Sequence, residues 1–334
     1  MSDIVSNFSA FLDGENKPLR VAESHIPTPG PNDIIVRNHA VAVNTVDPAQ
    51  QAGFKVARYP TVLGHDLAGV VHEVGSSVTR FKKGDRVLGH AWQFLTGQAE
   101  DGAFSLYTRI PAGNAAILPD NVDFKQGSVL PVAIDTAARG FYDTGFMGLD
   151  LPTADAKPNG KVVVVYGGST SVGVAAIQLA VNAGYRVIAT SSPRNHDLCR
   201  EAGAADVFDY KSSSIVDDIA KSVGRDQFVG LWNTIGIPES FDVVTPIMQK
   251  LGGGFVANTK PPGPMPENIT VIFVLGLGEY SYPLWEHWIT GALASGKLKA
   301  LPEPKVVGKG LESLEHAFEV RNGDVSGCKI VVEL

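Results

Sequence analysis

A chain of 334 residues with 44% hydrophobic and 19% charged residues has enough apolar side chain for about two domains and is not the composition of a disordered chain. Its 28 Lys+Arg against 35 Asp+Glu leave a net charge of −7 with no basic cluster, which argues against a nucleic-acid partner. No run reaches the ~18 uninterrupted apolar residues of a membrane span, the opening residues lack a basic-then-apolar signal order, and two cysteines, Cys199 and Cys328, exclude a disulfide framework; a cytoplasmic protein is expected.

The first ~130 residues predict a β domain. Residues 34–43, 68–75 and 84–90 run apolar or alternating between Gly, Pro and Asp, as strands do. After Pro131 the pattern changes. The continuous apolar run 161–168 suits a strand buried on both faces. It leads into 171–184, where Val172, Ala176, Ile177, Leu179, Ala180 and Ala183 recur at helical spacing and Gly184 fits a helix end. Strand-like 185–190, helix-like 195–203, then 207–210, 215–223, 228–233, 253–259 and 269–277 continue the alternation that implies a parallel sheet wrapped by helices. Helices are predicted over 283–296 and 311–323 and a final strand over 328–334, while 260–268 reads as a surface loop.

The strand–turn–helix at 161–184 is the strongest local signal for chemistry. Such a turn points free N–H groups and the positive end of a helix at whatever lies above the sheet, a position suited to a dinucleotide pyrophosphate. Gly167 and Gly168 allow the tight bend and Gly173 lets the helix approach the strand. Counting from Gly168, the middle glycine of G-x-G-x-x-G is replaced by Thr170, and Ser169, Thr170 and Ser171 offer hydroxyls to phosphate oxygens. The second strand ends Thr190-Ser191-Ser192-Pro193-Arg194 without the acid that would accept a ribose 2′-OH. Hydroxyls and a guanidinium suit a 2′-phosphate, so NADP(H) is expected over NAD(H). Asp197 and Glu201 read as part of a solvated helix face.

Residues 27–37, 41–47, 63–75, 81–89, 101–111, 162–173, 203–210 and 323–334 together resemble the medium-chain dehydrogenase/reductase superfamily over nearly the whole chain. The resemblance implies an α/β fold: a GroES-like β domain (1–134), a Rossmann doubly wound parallel-sheet domain (135–287) and a completion of the first domain by 288–334, with the active site in the cleft between them. Zinc-bearing members use a Cys, the His of G-H-E and a second Cys or acid. Here the first position is Asn44, Gly64-His65-Asp66 keeps the His, the second Cys position falls near Val132, and the structural four-Cys loop is absent. No zinc is expected, and His65 reads as a hydrogen-bonded interior residue.

The chain is thus similar to the zinc-free quinone reductase and enoyl reductase branch, most of all to fungal trans-acting enoyl reductases that work beside polyketide synthases. That resemblance implies pyrophosphate contacts from Gly168, Ser169, Thr170, Ser171 and Val172, and 2′-phosphate contacts from Ser191, Ser192, Arg194 and Tyr210. It places Asn44, Val46, Asp47 and Thr136 beside the rest of the cofactor, with Val325 and Ser326 closing over it. Substrate would be lined by the 130–137 segment (Val132, Ala133, Asp135) and by Gly276, Leu277, Gly278, Glu279 and Tyr280.

The implied reaction is conjugate reduction of an enoyl thioester, enone or quinone, with a small-molecule or carrier-bound acyl substrate and a polyketide synthase as candidate partner. Relatives occur as monomers and homodimers. Where relatives carry a Tyr or Lys after N-x-x-D, this chain has Ala49, so Asp47, Gln50, Tyr59, His65 and Asp135 are the candidates for the proton, with bulk water as the alternative source. Asp47 reads equally as a ribose-orienting or a turn-capping acid. Asn233 stands where relatives have Asp. Trp285 and Trp288 read as contacts to a flat or bulky substrate or as interface or core packing. The missing donor leaves a non-redox cyclase or isomerase as an alternative, and a non-catalytic synthase partner as a third reading.

Overall fold

The computed structural model describes residues 6–143, 145–323 and 325–334. Two compact units emerge, and each is built around its own sheet.

In one unit, six strands lie side by side and parallel in the order Asp206–Asp209, Arg186–Ser191, Lys161–Tyr166, Gln227–Asn233, Gly254–Asn258 and Ile269–Phe273. From Lys161–Tyr166 the chain first steps one way and then returns to build the other half. This reversal makes the switch point at whose strand ends doubly wound sheets bind ligands. Val162 to Val165 are all fully buried because helices cover both faces. On one face Val162, Val164 and Tyr166 meet Ile215, Ile219 and Val223 of the Ile215–Val223 helix and Val244, Ile247 and Met248 of Phe241–Lys250. The Ser171–Asn182 helix ends at Gly184 (φ +87), where Gly184 N–H donates to the Val181 carbonyl (3.0 Å) and Tyr185 N–H to the Ala180 carbonyl (3.1 Å).

The other unit holds a seven-stranded sheet. Its path runs Glu303–Lys309, Cys328–Glu333, Asp33–Val43, Asp66–Val74, Arg86–His90 and Ala115–Ile117, with Tyr107–Pro111 also on Asp33–Val43. A small sheet of Leu19–Ser24, Asn7–Leu12 and Thr61–Val62 completes it. Inward residues such as Leu12, Ile34, Val36, Val43, Leu67, Phe104, Ile110 and Val332 form the core, capped by Leu314 and Phe318 of the Leu314–Asn322 helix.

Three expectations shift. The units divide after Val132, and the first takes back Trp285–Ser295 and Glu303–Leu334, whereas 296–302 stays with the parallel sheet. Gln178 holds it there: Lys299 N–H donates to Gln178 Oε1 (2.7 Å), and Gln178 Nε2 donates to the Lys299 carbonyl (3.2 Å). The helix expected over 283–296 is two, Tyr282–His287 and Ile289–Ser295, and no residue in the sequence marks the break at Trp288. The last parallel strand stops at Phe273, because beyond it the backbone of Gly276 packs against Thr136 and Gly278 adopts φ +132.

Candidate active site

The turn after Lys161–Tyr166 is closed by contacts that only glycine permits. A Cβ on Gly173 would stand 2.3 Å from the Gly167 carbonyl oxygen, so helix and turn meet backbone to backbone. Gly167 has φ +84, and a Cβ there would meet Thr234 Oγ1 at 2.5 Å. Thr170 caps the helix: its Oγ1 accepts from Gly173 N–H (2.9 Å) and donates to Thr234 Oγ1 (2.9 Å). Its one hydroxyl hydrogen is therefore spent inside the protein, unlike the phosphate donor that its position suggested. Ser169 and Ser171 remain half-buried in the turn, Ser169 Oγ accepting from Asn195 Nδ2 (3.3 Å). Ser171 and Val172 lie in the first turn, whose amides the helix cannot pair.

The neighbouring strand ends at Ser191, whose hydroxyl donates to the Ser192 carbonyl (3.2 Å). Ser192 is half-buried and Arg194 exposed. Tyr210, just past the end of the adjacent strand, sets its ring edge-on to Tyr166, centroids 6.3 Å apart, with Lys211 Nζ 5.8 Å from its ring centre. Hydroxyls and a guanidinium thus gather at the ends of two adjacent strands, with no acid at the end of Arg186–Ser191. Asp197 pairs with Arg200 (3.0 Å) and Glu201 with Lys299 (3.4 Å), as members of a solvated face.

The expected substrate segments of this unit also meet. The Pro131–Tyr142 helix and the 275–280 loop are clamped by Arg139, which donates to the carbonyls of Leu275 (2.8 Å) and Leu277 (3.1 Å) and lies 5.5 Å from the Tyr280 ring centre. Tyr280 OH donates to the Asp135 carbonyl (3.2 Å), and burial raises its phenol pKa well above the ordinary value. A Cβ on Gly276 would stand 2.3 Å from Thr136 Oγ1, so this loop lies directly on the helix. Glu279 opens the short turn after Gly278. Ala133 and Asp135 are buried, and the Asp135 side chain is fully so, presenting no atom to a ligand in this conformation.

Within the other unit, His65, Asp66, Asn44, Asp47 and Gln50 form one buried polar cluster with Gln93 and Lys329. Asp47 opens the short Val46–Gln51 helix, and its Oδ2 accepts from Asn44 N–H (2.6 Å), which is the turn-capping role. Burial, with the Asp66 carboxylate adding to it, pushes Asp47 up to about 8 against the pull of that N–H. Burial and then His90 push His65 down to about 3. Both groups are therefore neutral at pH 7, and their 3.7 Å approach is not an ion pair. His65 Nε2 instead faces Gln50 Oε1 (3.1 Å); Gln50 Nε2 donates to Gln93 Oε1 (3.1 Å) and Gln93 Nε2 to Thr61 Oγ1 (2.8 Å). Asp47 is fully buried, so it has no face for a ribose here.

A zinc ion does not fit this donor set. Asn44 Oδ1 accepts from the Lys329 ammonium, Asn44 Nδ2 donates to Asp66 Oδ2 (2.9 Å), and Lys329 pairs with Asp66 Oδ2 (2.9 Å). Val132 supplies only its N–H, to Asp66 Oδ1 (2.7 Å). Among the described residues no cysteine side chain is bonded into this cluster, and the acid is already paired with an ammonium that would repel a dication. Among the described residues no three His, Cys, Asp or Glu are grouped to hold a metal.

The remaining candidates scatter. Tyr59 is 37% exposed, and Val325 packs beside the sheet core with Ser326 half-buried after it. Trp285 and Trp288 are buried, as core packing predicts. Asn233 Nδ2 donates to Ser240 Oγ (2.8 Å) while its Oδ1 accepts from Gly236 N–H (3.2 Å). Lys329, Arg139 and Thr234 went unnoticed in the sequence; a lone lysine inside the apolar run 328–334 was the one available signal.

Residues 30–120 match the alcohol dehydrogenase GroES-like domain and 171–276 the zinc-binding dehydrogenase domain. The chain is 40% identical to dehydrogenase orsE of Emericella nidulans, over 99% of this chain and all of that protein. It is 34% identical to trans-enoyl reductase himH of Aspergillus japonicus, over 100% of this chain and 99% of that one. Among solved structures, it resembles an alcohol dehydrogenase superfamily protein from Novosphingobium aromaticivorans (TM-score 0.80, 24% identity, 98% and 99% of the two chains). A quinone oxidoreductase from Pseudomonas syringae also shares its fold (TM-score 0.73, 23% identity, 99% and 100% covered).

Proposed function

This chain belongs to the medium-chain dehydrogenase/reductase superfamily, whose members are nicotinamide-dependent oxidoreductases, and we propose that it is an NADPH-dependent, zinc-independent reductase of α,β-unsaturated carbonyls. The observation that carries the cofactor reading is the glycine cradle, where Gly173 meets the Gly167 carbonyl and leaves a helix end open to a pyrophosphate. Ser191, Ser192 and Arg194, at a strand end whose own sequence carries no acid, favour the 2′-phosphate. The reduction itself is supported by full-length relatives called trans-enoyl reductases.

When bound, NADPH would supply a hydride. Received at the β-carbon of the substrate, that hydride would shift the alkene pair between the α-carbon and the carbonyl carbon and the carbonyl pair onto oxygen, and a proton at the α-carbon would complete the saturated carbonyl. The chain's share is to hold the coenzyme and the loop beside the Pro131–Tyr142 helix in place. Ser169, Ser171 and the first-turn amides hold phosphate, and Arg139 and Tyr280 hold the 275–280 loop on the Pro131–Tyr142 helix. With His65 pushed down to about 3 and Asp47 and Asp135 fully buried, we assign the α-proton to solvent water. The substrate class extends to enoyl thioesters, enones and quinones, free or carrier-bound, in a cytoplasmic setting beside a polyketide synthase.

The test is NADPH oxidation with a 2-enal, an enoyl thioester, an enone and a quinone, with product mass. Oxidation with NADPH at least about tenfold faster than with NADH, and a product two hydrogens heavier, is the expected result. Tight NADPH binding with no oxidation across the panel would overturn it. Ala49 at the usual donor position favours a second reading, a non-redox cyclase or isomerase, which would convert a polyketide or terpenoid while leaving NADPH unconsumed.

A further inference from the structure

We infer that the Lys329 ammonium is the resident cation of the buried cluster. In this role it is a positioning residue that holds Asn44, Asp66 and the start of the Pro131–Tyr142 helix where zinc-bearing members of the superfamily use a metal ion.

The Cys328–Glu333 strand runs antiparallel to Asp33–Val43 with Ile330 opposite Val43, so the residue before Ile330 falls beside Asn44. Lys329 there is buried, and its ammonium contacts both Asn44 Oδ1 and Asp66 Oδ2. Asn44 Nδ2 closes the triangle on the same Asp66 oxygen (2.9 Å). The second oxygen, Asp66 Oδ1, accepts from Val132 N–H (2.7 Å), placing a carboxylate at the N-terminal end of a 12-residue helix. The Asp66 side chain is fully buried, and an ionised carboxylate is stable in such a place only beside a fixed cation. One ammonium against one carboxylate leaves the triangle neutral; a dication added there would have no anion left to balance it.

The other charged and titratable groups facing this cluster are Asp47 from the Val46–Gln51 helix, Arg321 from Leu314–Asn322, His65 next in the chain, and His90 opposite Asp66 in the neighbouring strand. None replaces the lysine: Arg321 bonds the Thr45 hydroxyl, and His65 is neutral at pH 7.

The experiment compares thermal unfolding of the wild type, Lys329→Met and the double variant Asp66→Asn/Lys329→Met at about pH 7. Lys329→Met should melt about 5 °C or more below the wild type, because a buried carboxylate is then left without its counterion. The double variant, which has neither charge, should recover most of that loss, a rescue that the mere loss of the lysine's packing would not give. A second arm adds one equivalent of zinc sulfate to the wild type and expects no rise in melting temperature. The inference falls if Lys329→Met melts with the wild type, if the double variant is no more stable than the single one, or if zinc stabilises the wild type. These readouts need no turnover, so they stand or fall apart from the reductase reading, which NADPH oxidation tests.

Discussion

Thr234 and Thr170 share a 2.9 Å hydrogen bond between their hydroxyl oxygens, which ties the end of one parallel strand to the glycine turn after its neighbour. Thr234 Oγ1 also reaches the carbonyls of Tyr166 (3.0 Å) and Gly167 (2.9 Å), so one side chain fixes both ends of the bend. Thr234→Val keeps the shape and removes these bonds. NADPH should bind about tenfold more weakly, equivalent to about 1.4 kcal/mol, measured by fluorescence titration. An unchanged dissociation constant would show that the turn holds itself.

Two glycines with opposite surroundings make a paired test. Gly173→Ala would drive a methyl against the Gly167 carbonyl oxygen and should abolish measurable NADPH binding while lowering the melting temperature. Gly291→Ala, inside the Ile289–Ser295 helix with nothing within 4 Å of the new methyl, should stabilise by about 0.5–1 kcal/mol. Equal effects at the two sites would contradict the cradle.

Arg194→Ala should cut kcat/KM for NADPH about 10- to 100-fold and leave that for NADH nearly unchanged, since a charge-assisted bond to phosphate contributes about 1.5–3 kcal/mol. Parallel losses with both coenzymes would place the guanidinium away from the 2′-phosphate.

The buried cluster makes a pH prediction with a definite sign. Asp47 rises on folding from 3.8 to about 8, so the folded state holds an extra proton and stability falls as pH climbs through that window. His65 drops from 6.5 to about 3, so its contribution rises with pH over its own window. Between 3.8 and 6.5 the two slopes oppose each other, and between 6.5 and about 8 Asp47 acts alone. Asp47→Asn keeps the oxygen that accepts from Asn44 N–H and should abolish the fall above pH 6.5, as followed by urea unfolding at several pH values. A fall that persists in the variant would assign it elsewhere.

Local signals carried most of the architecture, because the central strands of the parallel sheet hold apolar stretches with turn formers beyond their ends. The glycine turn was legible because Gly173 acts on Gly167 and Gly168 within the same turn, although Gly167 also faces the distant Thr234. Thr170 misled, because its role depends on Thr234, a contact across 64 residues that no spacing rule reports. Lys329 lies 285 positions from Asn44, and Arg139 reaches backbone carbonyls, which carry no side-chain signature. Asn233 is legible only once its partners are known: Ser240 spends its hydrogen on the Ile237 carbonyl (2.6 Å), so it needs the amide donor that an aspartate lacks.

The Cys328–Glu333 strand occupies an interior place in the seven-stranded sheet, between Glu303–Lys309 and Asp33–Val43. During synthesis the first 132 residues therefore leave the ribosome with Ala40–Val43 as an unpaired sheet edge and with Asp66 lacking its counterion, while the whole parallel-sheet unit is made in between. A nascent chain stalled before Lys329 should be protease-sensitive in its leading segment even after the parallel sheet has closed.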